Sequence, residues 1–236
     1  MGHVHNFLYL IWKDPNSRRN YIIGKLTKGD KYTFEYCGEY KKALESGWNL
    51  LNAFPYERRY ESDNLFAAFA SRLPDPKRRD IDNILKKYKL DRYDGYELLK
   101  NSFGKLPIDT YEFIDPIFPD DVKVDKSFYL MGGRHYMSCG GKNCSFRANL
   151  KIGSELILSA DKNNQHDKYA VSVHLQDGTK IGYIPRYYSE GVYMRLEKNT
   201  TYHCRIIEMS DVFDCENCIK VKLIMPRVDN TGCDLE

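Results

Sequence analysis

The chain has 236 residues, which is long enough for one large or two small domains that each bury a core. A composition of 42% hydrophobic, 29% charged and 14% aromatic residues excludes a disordered chain. The formal net charge of +3 is too small to identify a nucleic-acid-binding protein. No apolar run approaches the roughly 20 residues of a membrane-spanning helix, and the start MGHVHN lacks a signal-peptide pattern, so we predict a cytoplasmic protein.

The first half, residues 1–115, is predicted to form an α+β domain. Its segments FLYLIW, NYIIGKL and KYTFEYC have the composition of strands and predict a small antiparallel sheet. Apolar residues at helical spacing then predict three helices. The first is capped by Asp63 and stopped by Pro74, the second covers RRDIDNILKKYKL, and the third is capped by Asp94 and ended by Gly104.

The segment DPIFPDDVKVD follows neither periodicity, and we predict a linker over residues 116–125. Beyond it, over residues 126–227, strand-like segments separated by turns predict a small, mostly β barrel or sandwich. Residues 228–236 are predicted to be an acidic tail. The predicted strands are KSFYLMGGRHYM, ELILSAD, YAVSVHL, KIGYIP, TYHCRIIEM and CIKVKLIM, with one helix over SEGVYMRLEKN.

Enzyme motifs are missing from the sequence. It contains no phosphate-binding loop, dinucleotide fingerprint, zinc-protease helix, nucleophile elbow or kinase catalytic loop, so we predict that the protein is not an enzyme and needs no cofactor. Basic residues concentrate between Arg134 and Arg205, with eleven Lys and Arg against six Asp and Glu. This distribution favours an anionic partner for the second half.

Three segments of the second half, FYLMGGRHYM, LSADKNNQHDKYAVSV and DGTKIGYIPR, occur in the order typical of one family. Together they resemble the HIRAN domain over roughly residues 126–227. This resemblance implies a six-stranded OB-like or SH3-like barrel that binds DNA, as single strands or at 3′ ends. Gln165-His166 stands where the family usually has Pro-Tyr.

The resemblance also implies a set of DNA-binding residues. An arginine fork can pair with a phosphate, an aromatic ring can stack on a base, and a carboxylate can accept a hydrogen bond from a terminal hydroxyl. For Asp167 a second interpretation stands, in which its side chain only closes the turn before YAVSV. The implied residues are Arg134, His135, Tyr136, His166, Asp167, Tyr183, Arg186 and Tyr187.

Aromatic and basic residues alternate after the last of these segments, in a pattern that suits single-stranded DNA. The alternative for each tyrosine is packing on the barrel, and the alternative for Arg186 is a solvated surface charge. The residues in this pattern are Tyr183, Arg186, Tyr187, Tyr188 and Tyr193.

Two cysteine pairs have spacings that raise the question of a zinc site. Four thiolates from Cys139, Cys144, Cys215 and Cys218 could hold a tetrahedral zinc ion if both loops met. The alternative is that each pair lies in a turn with its thiols reduced and unliganded, and we favour it.

Three segments of the first half are YIIGKLTKGDKYTFEYCGEY, the stretch that ends in FAAFASRLPDPKRRD, and YELLKNSFGKLPIDTYEFI. Together they resemble the N-terminal subdomain of HipA-type toxin kinases. Nothing that follows resembles the kinase core. The resemblance therefore implies a domain that binds a protein partner, without kinase activity.

These observations predict a non-enzymatic DNA-binding protein with a partner-binding first domain. One alternative is a regulator of a toxin-antitoxin or phage-defence system that acts mainly through protein contacts. A second alternative is an accessory subunit of a nuclease or helicase.

Overall fold

The computed structural model describes residues 5–136, 150–209 and 218–226, which form two compact units. The first unit comprises residues 5–116, and the second begins at Ile117. Both are built from antiparallel sheets and helices, in agreement with the predicted mixed class. Within the described ranges, no helix is long and apolar enough to cross a membrane.

A five-stranded antiparallel sheet organises the first unit. The predicted three-stranded meander is confirmed, and two short strands that the sequence pattern did not indicate extend it at its edges. The spatial order is β4-β3-β2-β1-β5, so the last strand of the unit pairs with the first. The strands are β1 (Phe7–Lys13), β2 (Asn20–Lys28), β3 (Tyr32–Tyr36), β4 (Tyr60–Ser62) and β5 (Tyr111–Ile114).

The first unit also contains four short helices. The predicted third helix is confirmed with its cap, because the carboxylate of Asp94 accepts hydrogen bonds from the N–H groups of Tyr96 (2.9 Å) and Glu97 (3.2 Å). The prediction that Asp63 caps a helix is wrong. That helix begins only at Ala67, after an extended Phe66, and Asp63 lies 3.6 Å from the ammonium of Lys31. The helices are α1 (Tyr40–Glu45), α2 (Ala67–Ala70), α3 (Ile81–Lys87) and α4 (Gly95–Ser102).

The core of the first unit is mainly aromatic. Phe34 of β3 is fully buried, and its ring centroid lies 4.4 Å from that of Phe54 and 5.2 Å from that of Phe69. Such edge and tilted ring contacts stabilise the core beyond the area they bury. At the edge of this core, the guanidinium of Arg72 forms a bidentate salt bridge with the carboxylate of Asp109, in which both N–O distances are 2.7 Å.

The described residues of the second unit form two three-stranded antiparallel sheets, ordered β10-β11-β6 and β7-β8-β9. Isolated backbone bridges join their edges, one between Met131 and Tyr183 and the other between Glu155 and Arg205. Its elements are β6 (Val124–Tyr129), α5 (Gly133–Tyr136), β7 (Ile157–Ala160), β8 (Val171–His174), β9 (Lys180–Tyr183), α6 (Arg186–Glu197), β10 (His203–Met209) and β11 (Ile219–Met225).

Two elements of the second unit differ from the prediction. The strand predicted over residues 126–137 ends at Tyr129, and Gly133–Tyr136 forms a helical turn instead. The positive φ of Gly132 (+71°) allows the chain to leave the strand direction at that point. The predicted helix starts at Arg186 rather than Ser189, directly after Pro185.

Helix α6 is fixed by its buried side. The guanidinium of Arg195 is fully buried and donates hydrogen bonds to the carbonyls of Phe118 (3.2 Å), Pro226 (3.0 Å) and Asp121. One side chain therefore connects the helix to the segment after Ile117 and to the end of β11. Each of its three nitrogen atoms thus donates to a backbone carbonyl, which offsets part of the cost of burying the cation.

Candidate nucleic-acid interface

Helix α5 presents the first group of predicted site residues. Arg134, His135 and Tyr136 are all exposed, and the ring centroid of Tyr136 lies 5.7 Å from that of Tyr183 in an edge-on arrangement. The two tyrosines, which are 47 positions apart in the sequence, therefore belong to one surface.

Gly182 explains how α5 comes so close to β9. The backbone groups of Met131 and Tyr183 exchange two hydrogen bonds of 2.9 Å, which brings the two segments into contact. A Cβ atom at Gly182 would lie 2.8 Å from the carbonyl oxygen of Met131. A side chain would push the segments apart, so this glycine serves the approach of the backbone rather than a ligand.

A β-bulge in β9 decides which side chains face α5. The pairing of β8 with β9 shifts between Val173 and His174, which leaves Ile181 as an extra residue. In a regular strand, residues three positions apart point to opposite faces. The bulge turns Lys180 and Tyr183 to the same face, as bulges beside functional sites often do.

A hydrogen-bonded network of three charged or polar groups lies on this face. The hydroxyl of Tyr183 donates to the carboxylate of Asp161 (2.6 Å) and accepts from the ammonium of Lys180 (2.5 Å). Burial, and then the bond to Asp161, raise the pKa of Tyr183, which remains a neutral phenol. The same bond lowers the pKa of Asp161, so this carboxylate is ionised.

The turn that carries His166 and Asp167 is organised by Asn164. Its side-chain oxygen accepts hydrogen bonds from the backbone N–H groups of His166 (2.9 Å) and Asp167 (3.0 Å). The imidazole of His166 is exposed. Asp167 is half-buried, and its two carboxylate oxygens accept hydrogen bonds from the N–H of Tyr169 (3.0 Å) and the hydroxyl of Ser189 (2.8 Å).

The first helical turn of α6 contacts the loop that carries His166 and Asp167. Ser189 donates to Asp167 and lies 2.9 Å from the carbonyl oxygen of Arg186, so the start of the helix and the turn hold each other in place. Arg186 is exposed, whereas Tyr187 is half-buried with its ring 4.7 Å from that of Tyr188. Tyr188 is 2% exposed and packs on Phe128, so its ring serves the core.

The structure thus connects the predicted site residues in two groups. The rings of Tyr136 and Tyr183 contact each other, and the carboxylate of Asp167 is connected through Ser189 to the backbone carbonyl of Arg186. Asp161 and Asn164 lie on the turn between these groups and extend the first group. Sequence reasoning missed Asp161 and Lys180, because no motif marks them and strand alternation places Lys180 on the other face. We call this combined region, from α5 across β9 and residues 161–167 to the first turn of α6, the α5–β9 surface.

The proposed zinc ligands fall mostly outside the described residues. This applies to Cys139, Cys144 and Cys215, while Cys218 is buried just before β11. Among residues 5–136, 150–209 and 218–226, no group of three or more His, Cys, Asp or Glu side chains could hold a metal ion. Zinc binding therefore gains no support.

Comparison with known proteins finds matches to part of the chain. Residues 124–221 match the family model of the HIRAN domain. A crystal structure of a protein from Lactobacillus plantarum is 17% identical with a TM-score of 0.33, and covers 44% of this chain and 96% of its own. The crystal structure of the HIRAN domain of human HLTF is 18% identical with a TM-score of 0.31. This match covers 44% of the present chain and 76% of the HLTF chain. No curated protein matches, and the resemblance of the first half to HipA-type kinases is not supported.

Proposed function

We propose, on the premise that residues 124–221 form a HIRAN domain, that the protein binds single-stranded DNA on the α5–β9 surface. HIRAN domains are DNA-binding modules, and the matched range contains every residue of this surface. The family match is the observation that carries the proposal.

The chemistry of the surface supports this proposal. The exposed guanidinium groups of Arg134 and Arg186 suit phosphate oxygens, and the exposed ring of Tyr136 offers a face on which a base can stack. His135 and His166 add exposed imidazoles beside them. Cations interleaved with aromatic rings are the usual means of holding a single strand without reading its sequence.

We also propose that the second unit forms an OB-like barrel. The bridges at Met131–Tyr183 and Glu155–Arg205 support it, because they connect the two three-stranded sheets at two of their edges. In such a barrel, the α5–β9 surface would lie across the junction between the sheets at Tyr183.

The test is fluorescence anisotropy with a labelled single-stranded oligonucleotide. Arg134→Ala should weaken binding roughly tenfold, because one charge-assisted phosphate contact is lost. The matched control is Arg205→Ala, which removes an exposed arginine of β10 outside the surface and should change affinity less than about twofold. Equal effects of the two substitutions would place the binding site elsewhere.

Selectivity for 3′ ends is a separate proposal that depends on Asp167. Both of its oxygens already accept one hydrogen bond, so a terminal hydroxyl would have to use a remaining lone pair. Comparing oligonucleotides with a free and a phosphorylated 3′ end tests this. Equal affinities would remove end selectivity and leave single-strand binding intact.

The absence of catalysis and the partner-binding role of residues 1–115 stay predictions. Incubating the protein with labelled single- and double-stranded DNA and divalent cations tests the first, since any cleavage or unwinding would contradict it. Expressing the protein with the products of neighbouring genes and measuring co-purification tests the second.

A further inference from the structure

Lys180 is the least expected member of the α5–β9 surface. Its ammonium lies 4.7 Å from the ring centroid of Tyr136 and 4.1 Å from that of Tyr183. Its side chain remains one-quarter exposed, so an incoming anion can reach it. We propose that Lys180 is a phosphate-binding residue of this surface and that Asp161 positions it; this inference rests on the proposed function.

The hydrogen bonds of Lys180 leave room for a phosphate. An ammonium has three N–H donors, and the 2.5 Å bond to the hydroxyl of Tyr183 uses one. The contact with Asp161 is long, at 3.5 Å, and is weak for an ion pair. A phosphate oxygen can replace this long contact without breaking the short bond to Tyr183.

The bulge at Ile181 is the structural reason why Lys180 can take this role. Without the extra residue, strand alternation would turn Lys180 away from Tyr183 and from α5. The ring of Tyr136, with its centroid 4.7 Å from the ammonium, then adds a cation–π attraction to the hydrogen bond that Lys180 donates to the Tyr183 hydroxyl. The cation is thereby placed beside the ring of Tyr136 on which a base is proposed to stack.

Asp161 is the group that needs an explanation in a DNA-binding surface. A carboxylate repels the phosphate backbone, and its hydrogen bond from Tyr183 keeps it ionised. One of its oxygens accepts from the hydroxyl of Tyr183 (2.6 Å) and also lies 3.5 Å from the ammonium of Lys180, so this oxygen connects the two side chains. We therefore interpret Asp161 as a positioning residue that holds Lys180 until a phosphate competes for it. This competition lowers the affinity of the surface for single-stranded DNA.

The chain supplies a matched control on its other sheet. Lys220 of β11 lies 5.3 Å from the ring centroid of Tyr129 and 3.2 Å from the carboxylate of Glu208, which also accepts from the hydroxyl of Tyr129 (3.0 Å). This is the same combination of lysine, tyrosine and carboxylate, but it lies outside the α5–β9 surface. Lys220→Gln therefore removes the same charge from a similar environment.

The first experiment measures the affinity for a labelled single-stranded oligonucleotide at several salt concentrations. Lys180→Gln should weaken binding roughly tenfold at low salt and reduce the slope of log K against log salt by about 0.7, the value for one phosphate contact to a single strand. Lys180→Arg should keep the slope, and Lys220→Gln should leave it unchanged. Equal slopes for Lys180→Gln and Lys220→Gln would overturn the inference.

The second experiment tests whether Asp161 acts through Lys180. Asp161→Asn keeps an acceptor for Tyr183 but removes the charge, so affinity should rise about threefold or more. In the Lys180→Gln background the same substitution should have a smaller effect, since positioned residues in one network are not additive. A loss of affinity, or an equal gain in both backgrounds, would contradict the inference that Asp161 holds Lys180 in competition with a phosphate.

The two levels of the proposal fail in different ways. If the unaltered protein does not bind single-stranded DNA, the proposed function itself is wrong. If Arg134→Ala weakens binding while Lys180→Gln behaves like Lys220→Gln, the function stands and only the role of Lys180 is lost. Thermal unfolding of each variant checks that it is folded before its affinity is compared.

Discussion

Gly191 is the residue at which helix α6 has the least space. A Cβ atom there would lie 2.0 Å from the carbonyl oxygen of Ile117, far inside van der Waals contact. Helix propensity alone predicts that Gly191→Ala stabilises the protein by about 1 kcal/mol. We expect the opposite, a loss of about 2–3 kcal/mol, because the helix must move away from that backbone.

Denaturant unfolding measures whether Gly191→Ala raises or lowers the free energy of unfolding. The control is Glu190→Ala on the exposed face of the same helix, which should change the free energy of unfolding by less than about 0.5 kcal/mol. A stabilised Gly191→Ala variant would show that α6 does not pack closely on Ile117.

Individual site residues differed in how far the sequence could reveal them. Arg134, Tyr136 and Tyr183 lie in recognisable family segments, and the structure connects two of them directly. Lys180 could not be found, because its orientation depends on a bulge that no residue type announces. The tyrosine pattern also could not show that Tyr188 is buried, since alternation on a strand does not apply to a residue on a helix.

At the scale of elements, the cap of α4 allows a prediction with a pH dependence. Burial opposes ionisation of Asp94, but hydrogen bonds from Lys28, Glu97 and Tyr96 outweigh it and lower the pKa of this carboxyl. Because the pKa is lower in the folded protein, the cap stabilises fully above the unfolded-state pKa of about 3.9. The stabilisation disappears as the pH falls through the folded-state pKa.

Asp94→Ala should therefore lower the free energy of unfolding by about 1 kcal/mol at neutral pH, and by much less near pH 2. Urea unfolding at a series of pH values measures this difference. Asp91→Ala, at an exposed position three residues earlier, is the control and should show no such pH dependence. A penalty that stays constant with pH would mean that the carboxylate charge is not involved.

Long periodic segments were predicted well, and short elements were not. Strands β1, β2 and β3 have clear strand patterns, and α4 has a recognisable cap. Helices α1 and α5 span only six and four residues, too few for a period to be seen. The cap predicted at Asp63 failed because Leu65 and Phe66 pack against the core, with Phe66 extended, which delays the helix to Ala67.

At the scale of the whole molecule, each unit has its own buried core, and this predicts separable effects. Phe34→Leu removes ring contacts from the first unit, so we expect it to lower the free energy of unfolding of that unit by about 1–2 kcal/mol and to lower its unfolding temperature. The affinity for DNA should not change. Phe128→Leu is the matched change in the second unit, where the ring packs on Tyr188.

Differential scanning calorimetry and the anisotropy assay measure both effects. We expect the two substitutions to shift different transitions, because two units with separate cores need not unfold as one. A single transition shifted equally by both would contradict this expectation.

The strand order β4-β3-β2-β1-β5 has a consequence for synthesis on the ribosome. Strand β1, with the sequence FLYLIWK, emerges about 100 residues before β5, which is the strand that covers one of its edges. At about 5–20 residues per second, that edge stays unpaired for roughly 5–20 s. An apolar, aromatic edge with one charge is a template for intermolecular pairing during this interval. The nascent chain should therefore depend on chaperones until residue 114 has left the exit tunnel.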